Sequence, residues 1–218
     1  MNRTLTAGAT RGRRLSLIVA ALTLALVAAM FASDAAWAAQ KPRAAGDCPG
    51  QSLAQVFLPW GDEGWYTPLP DGGFELGAQG WTLEGGTRVV AGNEPFRVGG
   101  GDDSRSLLLP AGSAAVSPPL CVGRDHDTLR GFARHVGPRS SQLVVKVIWQ
   151  PQPGRTRTLP IGNLHADSAW LPTRIMKLAV NALGLRPGET TEVSFSFAPR
   201  GGGEWWIDDF YVDPFRRS

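Results

Sequence analysis

Glycine and proline set the first limit on this chain. It holds 27 Gly and 17 Pro in 218 residues, and from residue 48 onward they leave only short uninterrupted segments. Punctuation that dense disfavours long helices and favours short strands joined by turns. The side-chain period agrees. In Thr191–Phe197, Val193, Phe195 and Phe197 alternate with Glu192, Ser194 and Ser196. In Gln142–Trp149, Leu143, Val145, Val147 and Trp149 share one face, and Gln142, Val144, Lys146 and Ile148 the other. Further strands are expected at Trp81–Glu84, Thr87–Val90, Ser106–Leu109, Ala114–Ser117 and Thr128–Val136, then at Thr156–Ile161, Arg174–Val180 and Trp205–Val212. Met176–Leu185 is the one stretch that could form a helical turn instead, ended by Pro187-Gly188. Segments this short and numerous predict an all-β fold, a β-sandwich or jelly roll.

The first 38 residues are of another kind. Arg3, Arg11, Arg13 and Arg14 precede an apolar run from Leu15 to Ala32, and Ala36-Trp37-Ala38 supplies small residues at cleavage-site spacing. This reads as a secretory signal peptide cut before Ala39 or Gln40. An uncleaved anchor is the alternative, since about 18 apolar residues just span a bilayer. Arg13-Arg14 is not followed by a sequence resembling the twin-arginine signal, so ordinary secretion is the expectation. Residues 39–47 read as a polar linker, 48–70 as an irregular strap rich in Pro and Trp, and 71–218 as the sandwich domain.

The chain has 22 basic and 19 acidic residues. Four of those Arg, and Asp34, lie in the signal, so the exported part carries 18 of each and no net charge. A neutral domain without a basic cluster argues against nucleic acid, whose binding depends on phosphate neutralisation, and against a membrane contact other than an uncleaved signal. Cys48 and Cys121 are the two cysteines, both in the exported part, and in an oxidising compartment they are expected to form one disulfide. No CxxC or zinc-site spacing accompanies them. A monomer is expected.

Asp71-Gly72-Gly73-Phe74-Glu75 with Gly80-Trp81, and the closing strand Trp206-Ile207-Asp208-Asp209-Phe210-Tyr211-Val212, resemble the two ends of secreted carbohydrate-binding modules of the family 4 and family 9 type. These are jelly rolls of the galactose-binding-like class. Asp103-Ser104-Arg105-Ser106-Leu107 and Thr128-Leu129-Arg130-Gly131-Phe132 resemble internal parts of the same pattern, which covers roughly residues 71–213. The strap and Asn181–Gly188 have no place in it. The whole chain also resembles a group of uncharacterised secreted proteins of high-GC bacteria, which brings no function with it. The resemblance implies a structural calcium ion held by Glu75 with Asp208 or Asp209. Mixed carboxylates and loop carbonyls suit calcium, and an inward aspartate beside Ile207 would otherwise be a costly unpaired charge.

Sugar-binding surfaces stack pyranose faces on exposed aromatics rimmed by polar groups. Trp65 and Tyr66, in a polar loop, are the expected platform. Trp149 at a strand end is a further candidate, with Arg130 and Arg134 on one side of their strand as rim. Trp81, Trp205 and Trp206 are expected in the core. No catalytic constellation is evident. Ser104 after Gly101-Asp102-Asp103 lacks the strand-to-helix turn and partnered histidine a serine nucleophile needs. His126, His135 and His165 are scattered. Glu204 with Asp208 does not form a recognisable glycosidase pair, and Gly99-Gly100-Gly101 precedes no helix that would hold phosphate. A non-catalytic binding module for a polysaccharide or cell-envelope glycan is the expected function. A structural or protein-interaction role at the cell surface is the second reading, and a hydrolase the third.

Overall fold

The computed structural model describes Cys48 and residues 50–215; the signal-like segment and the linker at 39–47 lie outside the described residues. Among these, no helix is long and apolar enough to cross a membrane. The chain forms a β-sandwich of jelly-roll type, with two antiparallel sheets and two short 3-10 turns, Leu58–Trp60 and Val180–Leu183. The strands are β1 (Thr67–Pro68), β2 (Thr82–Glu84), β3 (Arg88–Ala91), β4 (Arg105–Pro110), β5 (Ala114–Val116), β6 (Leu120–Gly123) and β7 (Thr128–Val136). There follow β8 (Gln142–Gln152), β9 (Arg155–Leu164), β10 (Leu171–Pro172), β11 (Met176–Lys177), β12 (Thr190–Arg200) and β13 (Glu204–Asp213). The first sheet runs β10-β7-β13-β4-β3, with β1 also beside β13 and β11 beside β7. The second runs β2-β5-β12-β8-β9, with β6 also beside β12.

Alternation decides which side chains meet between the sheets. From the first sheet Leu107, Leu109, Leu129, Ala133, Trp205, Ile207 and Val212 turn inward; from the second, Leu143, Val145, Val147, Val193, Phe195 and Phe197. All are buried in one core, each contributing about 1.5–3 kcal/mol where a large apolar side chain is fully enclosed. The expected Arg174–Val180 strand is broken. It pairs only at Met176–Lys177, and Ala179 in the left-handed region (φ 50°) turns the chain into the 3-10 segment. β1, β6 and β10 were not expected, being two to four residues long and adjoined by proline.

The strap is held more tightly than its irregular sequence suggests. Cys48 is disulfide-bonded to Cys121 on β6, with Cα atoms 5.6 Å apart. Gln51 Nε2 donates to the Cys121 carbonyl at 3.0 Å. Ala54 and Tyr66 exchange backbone hydrogen bonds of 3.0 and 2.9 Å. β1 then adds Thr67–Pro68 to the edge of β13. Phe57 and Tyr66 thereby pack with Phe132 and Tyr211 as a second apolar cluster, on the outer face of the first sheet.

One irregularity positions the site. β7 borders β13 along its length, whereas on the other side β4 pairs only as far as Ile207 and β1 begins at Tyr211. In that gap the register slips, so that Asp209 and Phe210 oppose the single residue Gly131, a β-bulge. Asp209 adopts φ 48°, a left-handed conformation that Asp tolerates better than most residues. Phe210 crosses Gly131 into the core, where an added Cβ would lie 2.5 Å from its ring.

Candidate functional site

The gap beside β13 gathers acids from three parts of the chain. Glu94 comes from the β3–β4 loop, Asp103 from the residues just before β4, and Asp208 and Asp209 from the bulge; all four are buried. Asp208 serves the backbone: its Oδ1 accepts from Asp209 N–H (3.0 Å) and its Oδ2 from Glu94 N–H (3.0 Å). The Glu94 carboxylate accepts from Val98 N–H at 2.7 Å and from Phe96 N–H. Asp209 Oδ1 accepts from the Tyr211 hydroxyl (3.3 Å), and Asp103 Oδ2 from Asn93 Nδ2 (3.1 Å). Asp103 Oδ1 and Asp209 Oδ2 are buried without a hydrogen-bond partner.

The electrostatics of this cluster are unfavourable for anions alone. Burial, and then the neighbouring Asp209, push Asp208 up to about 10. Burial and the charges of Asp103 and Glu94 raise Asp209 to about 7. Glu94 and Asp103 are raised as well, chiefly by burial, and burial followed by Asp209 raises Tyr211. Crowded, desolvated carboxylates relieve their repulsion by taking up protons or a cation.

The arrangement fits a hard divalent ion. One carboxylate oxygen each from Glu94, Asp103 and Asp209 lies within 4.8 Å of the others, the span across an ion that binds oxygens at about 2.4 Å. The two orphaned oxygens belong to residues of this set, Asp103 and Asp209. Gly73 and Gly99 line the Asp209 carboxylate so closely that a Cβ on either would lie 3.0 Å from its Oδ1, which keeps the approach open. A hollow of about 400 Å³ reaches the cluster past Gly73, Glu75 and Gly99. Of the metal candidates in the sequence, the structure places Asp209 in this set. Asp208 stands behind it as a backbone acceptor. Glu75, at the rim, accepts from Ser104 N–H, Ser104 Oγ–H and Arg105 N–H at 2.7–3.0 Å. Its slight burial pushes its pKa up, and these hydrogen bonds outweigh that to leave it lowered. Glu94 carried no sequence signal, because a loop residue 114 positions before Asp208 has no period or motif to place it.

The second feature is the outer face of the first sheet. Cross-strand pairing sets Arg88 against Leu108, Leu108 against Trp206, and Trp206 against Arg134. The Arg134 guanidinium carbon lies 4.1 Å from the Trp206 ring centre and 5.8 Å from that of Trp170. Both rings and Arg134 are half-buried. Trp206 thus faces outward, contrary to the expectation of a core position, while Trp205 is fully enclosed against His135. Adjacent strand residues must face opposite ways, and this was the signal available for Trp206; Trp170 had none.

Beside this row, the strap seals the rest of the face. Tyr66, expected to be exposed, is fully buried and donates its hydroxyl to Asp62 Oδ2 at 2.7 Å. Trp65 is half-buried. Trp149 points into the core, 5% exposed. Arg130 lies over the Phe57 ring, pairs with Asp62 at 2.6 Å and donates to the Thr173 carbonyl at 2.9 Å. The five residues considered for ligand contact are therefore not one surface: Arg134 alone lies in the Trp206–Trp170 row. His126 is buried, His135 is buried against Trp205 and His165 is exposed. Ser104 directs its hydroxyl to Glu75 at 3.0 Å.

No family model matches the chain, and no curated protein matches it. Among solved structures it is similar to the CBM22-1–GH10 modules of Clostridium thermocellum endo-1,4-β-D-xylanase 10B, complexed with xylohexaose. That match has TM-score 0.46 and 17% identity over 66% of this chain and 28% of that one. It is also similar to the CBM22-1 xylan-binding domain of Paenibacillus barcinonensis Xyn10C, with TM-score 0.45 and 14% identity over 65% of this chain and 90% of that domain. TmCBM61, complexed with β-1,4-galactotriose, gives TM-score 0.41 and 18% identity over 68% and 97% of the two chains.

Proposed function

We propose that this chain is an exported, non-catalytic module that binds a polysaccharide or cell-envelope glycan on the open half of the first sheet's outer face. The observation that carries this reading is the Trp206–Arg134–Trp170 row: two half-exposed indoles flanking a guanidinium on the outer face of β7 and β13, Trp170 being supplied by the loop before β10. Rigid aromatics with a polar group between them suit a ring that presents one apolar face and a hydroxylated rim. The signal-like N-terminus and the disulfide support export. In this reading Glu94, Asp103 and Asp209 hold a structural calcium ion that joins the β3–β4 loop to the bulge, with Glu75 at its rim.

A protein-interaction role is the alternative, favoured by the inward packing of Phe57 and Tyr66, which makes the strap a structural cover. The deciding experiment is retention of the purified protein on insoluble polysaccharides and cell walls, beside Trp206→Ala, Trp170→Ala and Trp65→Ala. One polymer should retain the protein, and Trp206→Ala should weaken binding about tenfold, or about 1.4 kcal/mol. Failure of every polymer to retain a folded, calcium-loaded protein would favour the protein partner instead.

A further inference from the structure

Resting on the glycan-binding reading, we propose that the ligand of this face is an acidic polysaccharide, and that Arg134 recognises its uronate carboxylates.

Two arginines share the outer side of β7 and differ in their surroundings. Arg130 is satisfied within the fold, by Asp62 and the Thr173 carbonyl. The Arg134 side chain has no hydrogen bond or ion pair with any described residue, and its Nε is enclosed without a partner. Its two terminal amino groups likewise have no hydrogen-bond or ion-pair partner among the described residues, so both remain free to donate to a ligand. Trp206 and Trp170 hold the plane by cation–π contact, which limits the side-chain entropy lost when an anion docks. A planar fork of this kind matches a carboxylate through two parallel charge-assisted hydrogen bonds.

The neighbouring charges point the same way. Arg88 is exposed in the same cross-strand row. Farther along the same face of β13, Asp208 is buried with both oxygens engaged. Glu204 is exposed and forms no ion pair among the described residues. A neutral sugar does not explain this arrangement. It can stack on an indole but supplies no counter-charge for the partly desolvated Arg134 guanidinium, which has no ion pair among the described residues.

The test compares polygalacturonate and alginate with their carboxyl-reduced, neutral counterparts, using wild type, Arg134→Gln, Arg134→Lys and Trp206→Ala, each checked for an unchanged melt. The expected result is that wild type binds an acidic polymer at least about tenfold more tightly than its reduced form. That preference should fall as ionic strength rises from about 0.05 to about 0.5 M. Arg134→Gln should abolish it, and Arg134→Lys should restore only part, since a lysine keeps the charge without the fork. Equal binding of acidic and reduced polymers, or a preference that survives Arg134→Gln, would overturn the inference. If neutral polymers bind and Trp206→Ala releases them, the glycan-binding reading stands without it. If nothing binds, both fall.

Discussion

His126 shows how one enclosed side chain imposes a pH limit. The ring is fully buried; its Nδ1 accepts from Gly123 N–H at 2.9 Å, and its Nε2 lies 3.1 Å from Gln51 Oε1. That geometry requires the neutral tautomer protonated at Nε2, with Nε2–H donating to the strap. Burial pushes the pKa from 6.5 down to about 4, against a smaller opposing effect of Asp125. The unfolded chain therefore binds the extra proton first. This stabilisation is complete above pH 6.5 and is lost as the pH falls toward 4, by about 3 kcal/mol in total. Asp208 and Asp209 act in the opposite sense, because their raised pKa values favour the folded state as acid protonates them. The informative quantity is thus the difference in urea stability between wild type and His126→Gln. It should narrow from pH 7 to pH 4, and a constant difference would remove His126 as its cause.

At the scale of elements, the β13 bulge and the β3–β4 loop need each other. The bulge places Asp209 in the gap between β4 and β1, and Asp208 fixes Glu94 through its backbone. Bound calcium should raise the melting temperature by about 5 °C or more at a hundredfold excess over its dissociation constant. Asp209→Asn should remove that gain, yet in chelator it should be at least as stable as wild type, because it neutralises one of the crowded buried carboxylates. Scanning calorimetry with calcium and with chelator decides this; a calcium response unchanged in the variant would exclude Asp209 as a ligand. This site was half legible in the sequence. Asp208-Asp209 stood out as adjacent acids in an apolar strand. Strict alternation sent them to opposite faces, and no local pattern reveals a slip of register that depends on where β4 ends. Glu94 and Trp170 lie in loops, whose placement comes from tertiary contacts and not from periodicity.

Over the whole molecule, the strap links the two sheets. Cys48 is bonded to β6, in the second sheet, while Thr67–Pro68 extends the first. Removing the disulfide with Cys48→Ser and Cys121→Ser should cost about 4 kcal/mol for a closed loop of 73 residues, read as a lower denaturant midpoint for a single transition. The sandwich itself was legible, because β8 and β12 carry clean alternation and bury one side of it. The sealing of the outer face was not, since Phe57 and Tyr66 lie in a segment without a period. The second sheet ends at β9, whose residues 155–158 are exposed and include Arg155 and Arg157, with Pro160 close behind. Charge and a missing N–H on a border strand oppose pairing with another chain's strand, so this margin resists edge-to-edge growth and the aggregation that would follow from it.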